Sequence, residues 1–144
     1  MKKFTSILIL LFSIFILTSC SQNKKIFLES AWIRPGIEGN TTAGYFVLVN
    51  PTNQSDKLVS VSGNVSKRIE IHMTTMENDV MSMHEQEYIE IPEKSKVEFK
   101  PQGLHIMLMG LTDDIIEGDK IELTFQFEKA GTITHTFDIK TSDE

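Results

Sequence analysis

From Ile26 to Ile139 the chain repeats one pattern, a few residues alternating apolar and polar and then a turn signal. A period of two is the signature of a half-buried strand, and it excludes helical packing as the organising principle. Tyr45-Phe46-Val47-Leu48-Val49 runs continuously apolar and stops at Asn50-Pro51. Lys57 to Ser62 alternates, and Arg68 to Met73 sets Ile69, Ile71 and Met73 against Glu70 and His72. Tyr88 to Ile91 stops at Pro92, and Val97 to Phe99 stops before Pro101-Gln102-Gly103. Leu104, Ile106 and Leu108 then share a face, with His105, Met107 and Met109 opposite. Ile121 to Phe127 follows the turn at Glu117-Gly118-Asp119, and Thr132 to Ile139 follows Ala130-Gly131. No amphipathic helix of ten residues and no internal repeat interrupts this. Short strands with regularly spaced turns predict an all-β antiparallel sandwich or barrel.

The first twenty residues obey a different rule. Met1-Lys2-Lys3 is a positive head, and Phe4 to Thr18 is apolar and uncharged. That stretch is short for a membrane span, which needs about 20 residues. It ends in Leu17-Thr18-Ser19-Cys20, small residues before a cysteine, which resembles the bacterial lipobox. The expectation is a lipoprotein signal peptide over residues 1–19, a lipidated Cys20 with a polar tether over 20–25, and a folded domain over 26–144. Several acyl chains on one residue hold a protein stably to a membrane surface. Processing would leave 12 basic residues against 20 acidic ones, a net charge of −8. Such a balance argues against nucleic acid as a partner. With Cys20 the one cysteine of the chain, neither a disulfide framework nor a thiolate blue-copper site can form.

Sulfur is concentrated elsewhere. Six of the seven methionines lie between Met73 and Met109, at 73, 76, 81, 83, 107 and 109. His84 and His105 share that window, and His72 immediately precedes it. Met73 falls on the core face, where methionine is a gap filler, while Met107 and Met109 fall on the opposite face. Thioether sulfur is soft, neutral and free of proton chemistry, and with imidazole it suits Cu(I) rather than Mg, Ca or Mn. Parity turns His84 away from Met83, which reads it as a surface residue, and His135 reads as structural. Nothing resembles a Ser/His/Asp set, a phosphate loop or an HExxH helix, so an enzyme is not expected.

The spacing His72, ten residues, Met83, twenty-one residues, His105, one residue, Met107 resembles the H-x10-M-x21-H-x-M signature of the periplasmic PCuAC copper chaperones. The likeness extends through Ala31-Trp32-Ile33-Arg34-Pro35, Ala43-Gly44-Tyr45, Ile69-Glu70-Ile71-His72 and Gly103 to Leu111. It covers about Phe27 to Ile139. The resemblance implies a cupredoxin-like Greek-key fold and a Cu(I) site made by His72, Met83, His105 and Met107. It implies a monomeric carrier anchored outside the cytoplasm. Its partners would be the dinuclear-copper subunit of a respiratory oxidase and a thiol-bearing chaperone. Met76, Met81 and Met109 stand outside the primary set, as pocket-lining or transient contacts. The glycine usual in the turn at Glu77-Asn78-Asp79 is missing, so Asn78 or Asp79 must take the turn geometry. Alternative readings are a copper storage or tolerance protein, or a β-sandwich scaffold without metal.

Overall fold

The computed structural model describes residues 24–77 and 79–141, and the expected signal peptide over residues 1–19 and Cys20 lie outside them. Ten strands make the domain: β1 (Phe27–Ile33), β2 (Thr41–Asn50), β3 (Asp56–Ser62), β4 (Ser66–Glu77), β5 (Val80–Glu85), β6 (Ile89–Ile91), β7 (Ser95–Phe99), β8 (Leu104–Leu111), β9 (Lys120–Phe127) and β10 (Gly131–Ile139). They follow the order β5-β4-β8-β7-β2-β1-β10-β9-β3-β6, with β8 also paired to β2. Pairing is antiparallel except between β1 and β10 and at the single Phe99–Leu104 step between β7 and β8. The sheet curls until β3 touches β4 and β6 touches β7, which closes a core between two layers. The all-β expectation holds.

Alternation explains the core. Leu123, Phe125 and Phe127 are buried on β9, and Ile106 and Leu108 on β8. Phe46 stacks on Phe99 at 4.1 Å and meets Phe125 and Phe137 edge-on at 5.2 and 5.7 Å. The buried Asn50 amide donates to the carbonyls of Gln54, Ile91 and Pro92, so the turn signal at Asn50-Pro51 also joins two loops.

β2 is the strand that positions the site. Thr41 to Gly44 pair with β8, whereas Phe46 to Asn50 pair with β7. The change of partner falls at Tyr45. Gly44 permits it, because a Cβ there would sit 2.9 Å from the Ile106 side chain. β4 runs four residues beyond the alternation seen at 68–73, as far as Glu77, because it zips to β5 through Glu77–Val80.

Candidate metal centre

β4 and β8 are antiparallel neighbours, and His72 lies directly opposite His105. Directly opposite residues share a face, and the two imidazole rings are 5.9 Å apart between centroids. Two pairs further along, Glu70 faces Met107. On the other side of β4, Thr74 faces Met83 of β5. His72, Met83, His105 and Met107 therefore stand on one face of three adjacent strands. Met83, His105 and Met107 line a common cleft with Met81, Thr74, Tyr45 and Arg34, and His72 flanks it beside His105.

For a neutral imidazole, the hydrogen bond made by one ring nitrogen assigns the lone pair to the other. Nε2 of His72 lies 2.8 Å from Glu70 Oε2. A carboxylate can only accept, so Nε2 donates and Nδ1 holds the lone pair. That Nδ1 is buried without a hydrogen-bond partner. Such an atom costs desolvation energy unless something binds it. His105 is arranged the other way: Nδ1 lies 3.0 Å from the Gly103 carbonyl, which leaves the lone pair on Nε2. An acceptor behind each ring is the usual means of aiming a metal-binding histidine. Glu70 is itself held by Arg68, whose Nε lies 2.8 Å away.

His105 is more enclosed than its place opposite Leu104, Ile106 and Leu108 suggests. It is buried, because the partner switch of β2 carries Tyr45 across it, 6.5 Å between ring centroids. Tyr45 packs against buried Trp32 at a tilt of 44°, 4.7 Å between ring centroids, and lies under the Arg34 guanidinium. Burial pushes the Tyr45 phenol above its ordinary pKa, and Arg34 opposes this. Met107 is half-buried, while Met83 is 53% exposed, so the centre is open toward β5. Among the described residues no three His, Cys, Asp or Glu side chains converge as a metal-holding group. The side chains that share the cleft with His105 include the thioethers of Met81, Met83 and Met107.

The remaining candidates fall where parity puts them. His84 is exposed on the other face of β5, opposite Met73 of β4. His135 packs edge-on against Phe137. Met109 receives a contact from Arg68 at 3.6 Å. Asp79 takes the left-handed turn conformation, φ 63°. Glu70 and the Gly103 carbonyl are the hydrogen-bond partners of the two imidazoles that the sequence reading did not single out. Glu70 was legible as the residue two before His72 on its strand, hence on the same face.

A family model described as "Putative lipoprotein LpqE-like" matches residues 26–139. An uncharacterized protein of Rickettsia prowazekii is 36% identical over 102 residues, 67% of this chain and 56% of the relative. The chain thus spans little more than half of that relative's length. A "putative lipoprotein" of Leifsonia xyli subsp. xyli is 28% identical over 116 residues, 80% of this chain and 69% of the relative. Among solved structures, the copper-bound PCuAC domain from PmoF2 superposes with a TM-score of 0.69 at 26% identity, covering 82% of this chain and 94% of that domain. The expected likeness to PCuAC domains and the cupredoxin-like fold both hold.

Proposed function

The chain belongs to the LpqE-like family, and from that premise we propose that it carries Cu(I) outside the cytoplasm, bound by His72, Met83, His105 and Met107. The supporting observation is the pair of imidazoles opposed across β4 and β8, each backed by an acceptor, beside Met107 and Met83. Two neutral imidazoles and two thioethers stabilise the soft monovalent ion and leave its charge uncancelled. A carrier must also release, and the exposure of Met83 lets an incoming donor reach the ion by replacing one ligand.

In this reading the site does no catalysis. The copper-bound state of the PCuAC domain from PmoF2 and the lipoprotein description of the family support it. Cys20 anchors the domain to a membrane surface. The recipient is the dinuclear-copper subunit of a respiratory oxidase, with a thiol-bearing chaperone acting alongside.

Anaerobic competition for Cu(I) against a chelator tests the ligand set. Met83→Leu and Met107→Leu are each expected to weaken binding at least about tenfold, or about 1.4 kcal/mol. Met73→Leu and His84→Ala should leave affinity in place. Loss of binding in His84→Ala with retention in Met83→Leu would overturn the assignment. Transfer from the loaded chain to an isolated oxidase copper domain tests delivery, and failure of transfer at full loading would remove that partner.

A further inference from the structure

We propose that the tip of the β4–β5 hairpin is a second, outer site for Cu(I), formed by the thioethers of Met76, Met81 and Met83. This rests on the inner site proposed above, with which it shares Met83.

Register supplies the first argument. Met76 lies directly opposite Met81, and Met83 lies opposite Thr74 two pairs further in. All three methionines therefore project from one face of the hairpin. Directly opposed Cβ atoms in an antiparallel pair are about 4.5–5.5 Å apart and diagonal ones about 7–8 Å. Flexible, unbranched methionine side chains readily close such gaps around one ion.

Exposure supplies the second. Met76 is 65% exposed, and Met81 and Met83 are each 53% exposed. Scattered apolar side chains on a surface need no explanation, but a group of them marks a site of interaction. Core packing does not account for side chains this open, and β5 ends the sheet order. From His72 to Glu87 the hairpin carries Glu77, Asp79, Glu85 and Glu87 and no lysine or arginine, a field that attracts a cation.

Continuity supplies the third. Met81 and Met83 line the same cleft as His105 and Met107. An ion held by Met76, Met81 and Met83 reaches the inner donors by exchanging Met76 and Met81 for His72, His105 and Met107. Met83 stays bound throughout. Only dative bonds form and break, the copper remains Cu(I), and no proton moves from a thioether. The outer set thus serves as the place of loading and hand-over.

The test is nuclear magnetic resonance of the full chain carrying 13C-methyl methionine, titrated anaerobically with Cu(I) alone. The first equivalent should shift the methyls of Met83 and Met107. Beyond it, Met76 and Met81 should shift, together with a further change at Met83, whose sulfur has two lone pairs and bridges the inner and outer ions. Met76→Leu combined with Met81→Leu should abolish the second equivalent. Loading from a Cu(I) chelate should also slow by about tenfold, which corresponds to about 1.4 kcal/mol in the exchange barrier. His84→Ala, on the other face, should retain both equivalents. If Met76 and Met81 stay unmoved to two equivalents while Met83 and Met107 respond, the outer site is overturned and the inner one stands. If Met83 and Met107 do not respond to the first equivalent, both fall.

Discussion

Glu70 ligates nothing in the proposed centre, yet it decides which nitrogen of His72 can. Its carboxylate holds the Nε2 proton and turns the Nδ1 lone pair into the buried space. Glu70→Leu should therefore weaken Cu(I) binding by about 10- to 100-fold, the usual cost of losing such an orienting group. Glu70→Gln, which keeps an acceptor oxygen, should recover part of the loss. Chelator competition measures both, and an unaltered affinity in Glu70→Leu would show that the ring is aimed by something else. His105 combines two roles. It is buried beneath Tyr45 and bonded to Gly103, so His105→Ala should lose copper and also lower apo-domain stability by about 1–3 kcal/mol. Thermal melts of the apo chain separate it from Met107→Leu, which should lose copper with less effect on melting. Tyr45 adds a dependence on alkaline pH. Burial raises its pKa above the ordinary 10.0, so the folded state holds the phenolic proton more tightly than the unfolded chain does. That contribution to stability is complete below pH 10.0 and is lost as pH rises through the folded value. Denaturant melts on the alkaline side should show the loss, and Tyr45→Phe should reduce it.

Among the elements, the β4–β5 hairpin turns at Asp79. Asp79 stands at φ 63°, a region that aspartate tolerates and β-branched residues resist. Asp79→Val should destabilise the hairpin by about 1–2 kcal/mol, and Asp79→Gly should relieve the strain. Hydrogen exchange of the β5 amides reads both, faster in the first and no faster than wild type in the second. The missing turn glycine was visible in the sequence, and one of the two residues named there does take the turn. Nearly every strand was legible as well, because alternation is a local property of a chain with one buried face. The ends of β4 were not, since its last residues owe their strand character to β5 rather than to their own pattern. The partner switch of β2 was equally hidden, as it depends on pairing between residues more than sixty positions apart, Gly44 with Ile106. Hence the spacing could mark His105 as a candidate while the covering Tyr45 escaped notice. The carbonyl of Gly103 belongs to the backbone and has no residue type to betray it.

At the scale of the whole molecule, most of the core lies apart from the proposed metal centre, of whose four side chains His105 alone is buried. Phe46 lies at the centre of the aromatic core. Its replacement by Ala should cost about 3–5 kcal/mol, a large part of the roughly 5–15 kcal/mol available to a domain. A denaturant melt should show that loss, while the copper affinity of the molecules still folded should be little altered. The converse follows from β5, which ends the sheet order and among the described residues has β4 as its hydrogen-bonded strand neighbour. Opening β5 withdraws Met83 from the centre but leaves the pairing of the other strands intact. Local openings of this kind require less free energy than global unfolding. On warming, the chain should therefore have two thermal thresholds. Copper should escape to a chelator at a temperature where circular dichroism still reports an intact sheet, and simultaneous loss of both signals would refute the separation. The working limit of such a carrier would be the temperature at which it empties, well before the one at which it melts.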